Sequence, residues 1–337
     1  MEYLNIPQQK GLKPLPSSKP LPKYRISLEA CEFNSISFQQ SQWLKQFNNP
    51  LVFLHHYSNP QSNPTLFEKV EDKEWFANAC ANFITSNREI KHICPISQPT
   101  AFAFRVARGN DLPPFTCSLD KYRFLTNIIG AHAAAYKAIK KINPDIFVYV
   151  SHQWKIFKPY HSSIHPAYAL ELFISKFANK MYNTAFVEEL KKHSDCFDRI
   201  ALSLYPAVPF YYFVPIVDNL SENFDAEEML ETIKAIHKEF PNKEIIIAET
   251  GCNSPNSDIK NKFIDTLLYV CLKARRLGIN INGIYLWNHT DDIDYYWEWN
   301  KKPGSTNFGL FDKLDPNLTP EKTINQTGIY LKEIITG

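Results

Sequence analysis

The run Glu244-Ile245-Ile246-Ile247-Ala248-Glu249-Thr250-Gly251 says most about the architecture. Three β-branched residues and an alanine predict a strand buried on both faces, the kind a parallel sheet uses. A carboxylate closes the run, and in parallel α/β proteins the C-terminal strand ends carry the chemistry. Two readings of Glu249 are open here: a reactive group at the mouth of the sheet, or a strand-end acid that accepts loop amides or meets a surface lysine.

On either side of this segment, strand-like runs recur at 24–29, 51–56, 91–96, 146–151, 199–204 and 283–287. Helical periodicity separates them over about 36–47, 73–86, 121–141, 166–192, 226–239 and 258–277, with a last helix near 320–335. Strand and helix in alternation predict α/β architecture with a parallel sheet. No linker or shift in composition divides residues 24–337, so they form one predicted domain. Pro14, Pro16, Pro20 and Pro22 make residues 1–23 an extended arm. Neither GxGxxG nor GxxxxGK[S/T] occurs, which argues against an open nucleotide-binding sheet and for a (β/α)8 TIM barrel. A closed barrel wants eight strands and the pattern supplies seven. The first βα unit is therefore lost or shrunken into residues 1–6, or the barrel is incomplete.

Composition narrows the partners. The net charge is +2 with no basic stripe, which argues against nucleic acid as a partner. No apolar stretch is long enough to span a membrane, and residues 1–22 lack the apolar core of a signal peptide. The seven cysteines (Cys31, Cys80, Cys94, Cys117, Cys196, Cys252, Cys271) are odd in number, scattered and without a CxxC pair, which predicts a reduced, cytoplasmic protein. The sequon Asn288-His289-Thr290 then carries no glycosylation meaning. Aromatic residues make up 14% of the chain, with Tyr and Trp near strand ends; flat faces with polar tips suit sugar stacking, although most must be core. Asp291, Asp292, Asp294 and His289 match no metal-ligand spacing and read as a solvated loop, so no metal and no cofactor is expected.

Several segments, in order, resemble glycoside hydrolase family 1, the retaining β-glycosidases. Tyr24-Arg25-Ile26-Ser27-Leu28-Glu29 is similar to that family's second barrel strand, and Val52-Phe53-Leu54-His55-His56-Tyr57-Ser58-Asn59-Pro60 to its third. Ile96-Ser97-Gln98-Pro99 falls where the family has Asn-Glu-Pro, and Gly130-Ala131-His132-Ala133-Ala134-Ala135-Tyr136 resembles the helix that follows. Ala201-Leu202-Ser203-Leu204-Tyr205 is similar to an Asn-Tyr-Tyr region, and Ile247-Ala248-Glu249-Thr250-Gly251 to the Thr-Glu-Asn-Gly nucleophile strand. Tyr285-Leu286-Trp287 through Asn307-Phe308-Gly309-Leu310 resembles the tail. The likeness covers roughly 24–312; Phe197-Asp198-Arg199-Ile200-Ala201-Leu202-Ser203 is also similar to β-galactanases.

The resemblance implies a retaining site, in which two carboxyl groups about 5–5.5 Å apart share the work of nucleophile and acid/base. Glu249 takes the nucleophile position, but Gln98 stands where the acid/base belongs. An amide donates a hydrogen bond and cannot protonate a leaving group; losing that group costs about 10²–10⁴ in rate. Tyr205 is implied as a donor to the nucleophile, and the catalytic set is Glu249, Gln98 and Tyr205. His56, Ser97, Ser203, Trp287, Asp294 and Tyr295 are implied as substrate-binding, with Trp287 the sugar platform. For His56 and Tyr205 the alternative is a buried core role. Ser97 and Ser203 replace asparagines of the family, Asp294 and Tyr295 replace Glu and Trp, and Glu32 stands where an Arg is usual, inverting the local charge. The family's Gln-Ile-Glu-Gly segment is missing.

Two readings follow. One is retaining cleavage of a β-glycoside, O- or S-linked, impaired or specialised by Gln98, as in the plant thioglucosidases of the family. The other is a catalytically inactive barrel that binds a carbohydrate or a protein partner.

Overall fold

The strands of the computed structural model, in chain order, are β1 (Tyr3–Leu4), β2 (Arg25–Ser27), β3 (Leu51–His55), β4 (His92–Ile96), β5 (Phe147–Gln153), β6 (Phe157–Pro159), β7 (Arg199–Ser203), β8 (Val208–Tyr211), β9 (Val214–Pro215), β10 (Glu244–Thr250) and β11 (Ile281–Leu286). The helices are α1 (Asp72–Ser86), α2 (Pro99–Ala107), α3 (Lys121–Ile142), α4 (Tyr168–Asn179), α5 (Ala185–Lys191), α6 (Ala226–Glu239), α7 (Ser257–Arg276) and α8 (Gln326–Thr336). The structure describes residues 3–4, 25–27, 49–56, 65–107, 121–193, 195–215, 222, 224–287, 307–310 and 325–336.

All seven strands expected from the sequence form, and they lie side by side in chain order, each parallel to its neighbour: β2, β3, β4, β5, β7, β10, β11. Consecutive parallel strands joined through helices make the singly wound, curled sheet of a TIM barrel. The eighth strand comes from the N-terminal stretch, the first of the two alternatives, but in reduced form. Tyr3 and Leu4 pair antiparallel with Tyr285 and Ile284, at the open flank of β11. The first βα unit is thus represented by a two-residue edge strand of opposite sense, and among the described residues no ladder joins it to β2.

Alternation within the strands sorts the core into two layers. Leu51, Phe53, Cys94, Tyr149, Ala201, Ile246, Ala248 and Tyr285 pack together inside the curled sheet. Val52, Leu54, Ile93, Val148, Val150, Ile200, Leu202, Ile245, Ile247 and Ile284 face outward onto the helices. At the N-terminal end of the strands the interior is closed by an ion pair between Arg199 Nε and Glu244 Oε1, 2.9 Å apart, with the guanidinium 3.7 Å from the Phe147 ring centre. Burial pushes the Glu244 carboxyl up, with Arg199 acting against it. Five described cysteines (Cys80, Cys94, Cys196, Cys252, Cys271) are buried and unbridged.

The helices follow the periodicity, with two departures. α2 lies where no helical pattern is evident, because Pro99 closes an extended run in the sequence; a proline fits the first turn of a helix, where its missing N–H has no partner to lose. The helix expected over 166–192 is interrupted by a π-helical turn, Lys180–Thr184. That turn delivers Asn183, which is fully buried, to the end of β5. Its Oδ1 accepts from His152 Nε2 and the Lys155 N–H, and its Nδ2 donates to the Lys155 carbonyl and Asn179 Oδ1. The helix expected over 36–47 lies outside the described residues.

A small sheet of β6, β8 and β9 caps the C-terminal ends of β5 and β7. One buried carboxylate ties it down: Glu171 of α4 accepts from the backbone N–H groups of Tyr160, His161 and Tyr212 and from His161 Nδ1 at 2.7 Å. Burial works against its charge, but those hydrogen bonds outweigh it and hold the carboxyl at about 2.

Two core histidines make the fold acid-sensitive. Burial lowers His132 to about 4 and His152 to about 3. In the unfolded chain both take a proton near pH 6.5. Below that pH the unfolded state binds protons the native state refuses, so stability is complete above 6.5 and falls as the pH drops. Each histidine contributes a slope of about 1.4 kcal/mol per pH unit between 6.5 and its native value. Urea unfolding at pH 7, 6 and 5 should record this loss, and His152→Gln should reduce the slope by about one proton's worth; an unchanged slope in the variant would remove His152 from the account.

Candidate active site

Alternation alone would turn Glu249 away from the barrel. Ile246 and Ala248 face the interior, so the next residue should face the helices. A bulge prevents this. Ile247 pairs with Leu202, but it is Glu249, not Ala248, that pairs with Ser203, and the ladder to β11 shifts at the same place. The extra residue lets Ala248 and Glu249 both address the interior, the re-aiming that β-bulges supply.

The Glu249 side chain then meets three strand ends. Arg25 Nη2, from β2, lies 2.9 Å from Oε2, with the arginine side chain 1% exposed and the glutamate side chain 10%. The Tyr205 hydroxyl, two residues past β7, donates to Oε1 at 3.0 Å. The Gln98 side-chain amide, two residues past β4, donates to the same oxygen at 3.0 Å. Its other hydrogen goes to Ser203 Oγ at 2.9 Å.

Gln98 is held in an unusual backbone conformation. Its φ is +44°, in the left-handed region, and it precedes Pro99. Both features disfavour a side-chain-bearing residue, at a cost of about 1–3 kcal/mol for such outliers. The backbone is pinned on either side: its N–H donates to Ser151 Oγ at 3.2 Å, and its carbonyl accepts the Phe102 N–H at 3.0 Å as α2 begins.

The remaining wall comes from β3 and β11. His56 is 3% exposed, and its ring centre lies 6.3 Å from that of Trp287. The Arg25 guanidinium sits 4.2 Å from the Phe53 ring centre and 5.7 Å from that of Trp287. The Trp287 backbone N–H donates to the Thr250 carbonyl at 2.7 Å, which fixes the tryptophan beside β10. Only glycine fits at 251, because a Cβ there would stand 2.1 Å from the Trp287 carbonyl oxygen.

The expected residues Glu249, Gln98, Tyr205, Ser203, His56 and Trp287 therefore converge at one end of the sheet. Ser97 adjoins them, fully buried, its N–H donating to the His55 carbonyl at 2.8 Å and its hydroxyl without a hydrogen-bond partner among the described residues. Asp294 and Tyr295 lie outside the described residues, as do Glu32, His289, Asp291 and Asp292. Ser203, expected on the substrate, bonds the Gln98 side-chain amide. Two points differ from expectation. Gln98 and Glu249 are in hydrogen-bond contact, closer than the spacing of about 5–5.5 Å that the resemblance implies between the two groups. The described charge beside Glu249 is positive, and Arg25 supplies it. Arg25 is absent from the residues expected in the site, although a signal was present: an arginine inside a strand run must find an anion when it is buried. Ser151 gave no such signal.

No protein-family model matches the chain, and no protein of curated function matches it either. Solved structures do match. A beta-glycosidase from Pyrococcus horikoshii aligns with a TM-score of 0.75 at 18% identity, over 92% of this chain and 79% of that one. The AHE enzyme from Alicyclobacillus herbarius aligns with a TM-score of 0.76 at 13% identity, over 93% and 82%. A beta-glucosidase from Thermotoga maritima, solved in complex with castanospermine, aligns with a TM-score of 0.71 at 15% identity, over 93% and 82%. At these identities the likeness establishes the fold, a TIM barrel of the kind that β-glycosidases use.

Proposed function

We propose that this chain is a glycoside hydrolase-like protein that cleaves a β-glycoside with retention through a glycosyl-enzyme on Glu249. Gln98 restricts it to leaving groups that depart without a proton. The observation that carries this reading is the setting of Glu249, turned inward by a bulge and held between Arg25 and Tyr205. Arg25 pairs with the carboxylate and Tyr205 orients it, while His56 and Trp287 form a wall against which a sugar ring can lie.

In the first step a Glu249 oxygen attacks the anomeric carbon, and the bond to the leaving group breaks with its electron pair. Gln98 can offer that group a hydrogen bond and no proton. In the second step water attacks the anomeric carbon, the bond to the Glu249 oxygen breaks with its electron pair, and the proton is lost to solvent with no general base beside it, so turnover is slower by about 10²–10⁴ than with a carboxylate there. Thiolates and acidic phenolates suit the first step, since neither needs protonation.

A second reading, ligand binding without turnover, is favoured by one observation: Gln98 and Glu249 are in hydrogen-bond contact, whereas retaining pairs stand about 5–5.5 Å apart. Incubation with 2,4-dinitrophenyl 2-deoxy-2-fluoro-β-glucoside, and with its galactoside and mannoside counterparts, separates the two. We expect one fluoroglycosyl mass added to the peptide containing Glu249. An unmodified protein with all three reagents would leave the binding reading standing.

A further inference from the structure

We infer that Ser203 is a positioning residue that latches the Gln98 amide across Glu249, so that a ligand reaches the carboxylate only after that amide swings away. The inference rests on the reading of Glu249 as the reacting group, and it adds a closed resting state governed by one serine.

While the latch is shut, the Gln98 amide stands on Glu249 Oε1 at the distance a reacting carbon would need. Gln98 Nε2 and Glu249 Oε1 are 3.0 Å apart, a hydrogen-bond distance with nothing between them. A carbon poised for attack needs to stand about 3–3.5 Å from the carboxylate oxygen. The amide occupies that approach. Its two hydrogens are both engaged, one by Glu249 and one by Ser203 Oγ at 2.9 Å, so the group is braced from two sides. Ser203 can brace it because this serine lies directly opposite Glu249 in the β7–β10 ladder, a pairing that exists because of the bulge.

The backbone of residue 98 takes no part in the opening. Its left-handed φ is fixed by the Ser151 hydroxyl and by the first turn of α2. Opening is therefore a side-chain rotation that breaks the bonds to Ser203 and Glu249. Gln98 is 3% exposed and Ser203 2% exposed, so neither bond is replaced cheaply by solvent.

The test uses the full chain as wild type, Ser203→Ala, Ser203→Thr and Gln98→Ala. Labelling of Glu249 by a water-soluble carbodiimide with glycine ethyl ester, read on the mapped peptide, reports access without requiring any glycoside chemistry. Ser203→Ala should label about two- to ten-fold faster, the weight of one buried hydrogen bond. Ser203→Thr, which keeps the hydroxyl, should label as wild type, and Gln98→Ala fastest. A merely structural serine would lower the melting temperature in both Ser203 variants and leave Ala and Thr alike. Capture of 2,4-dinitrophenyl 2-deoxy-2-fluoro-β-glucoside, with release of dinitrophenolate, should accelerate in the same order.

Equal labelling in wild type, Ser203→Ala and Gln98→Ala would overturn the latch, whatever the glycosides do. Faster labelling in Ser203→Ala and Gln98→Ala with no glycosyl adduct in any protein would support the latch and remove the glycosidase reading.

Discussion

Gln98→Glu should raise the hydrolysis of aryl β-glycosides by about 10²–10⁴-fold, the contribution of a positioned general acid/base. The side chain at 98 touches a Glu249 oxygen at 3.0 Å. Two carboxyl groups at that distance cannot both ionise, so the pair keeps one proton near neutral pH. Arg25 and Tyr205 are committed to the charge on Glu249, which leaves the proton on residue 98, where a general acid needs it. The variant should therefore show a bell-shaped pH–rate profile whose limbs belong to the pair, with activity falling on the alkaline side as the shared proton leaves. The wild type has no titrating group at 98 and should lack that alkaline limb. Initial rates with 4-nitrophenyl glycosides across a pH series from acid to mildly alkaline make the comparison. No gain would place the fault in the surroundings of residue 98, with Ser97 and Ser203 the first positions to change to asparagine.

Arg25→Ala should cost about 3–5 kcal/mol of folding stability, because it strands a largely buried carboxylate. The arginine side chain is 1% exposed and fills the space between Phe53 and Trp287 while pairing with Glu249. Its removal takes away the cation, its packing and the charge compensation that Glu249 has among the described residues. Adding Glu249→Leu to Arg25→Ala should recover part of the loss, since a missing pair is less harmful than half of one. Urea midpoints for the two single variants, the double variant and the wild type close the cycle. A cost below about 1 kcal/mol, the range of a surface ion pair, would mean that solvent reaches Glu249 far more freely than its burial implies.

Much of the architecture was legible because it is local. Each strand run in the sequence is a strand in the fold, since β-branched and apolar residues in short runs between helical periods have few other stable choices. The missing eighth strand was legible as an arithmetic deficit, and Tyr3–Leu4 meet it. Its antiparallel sense was not, because two residues carry no pattern that distinguishes direction. The π-helical turn at Lys180–Thr184 was equally hidden: it exists to bring Asn183 under His152 and Lys155, partners that the helix's own sequence does not contain.

The candidate site divides in the same way. Residue types and strand ends are written in the chain: Glu249 closes a buried strand, Gln98 stands two residues past another, and Tyr205, His56 and Trp287 follow three more. Where those side chains point is a property of the assembled sheet. Alternation along Glu244–Thr250 sends Glu249 outward, and only the two-against-one pairing with β7 turns it in. Nothing in the sequence around Arg25 names its anion, and nothing around Ser203 says that it will hold the Gln98 amide. Register and neighbourhood arise from how strands pair across the sheet, and that information belongs to no single segment.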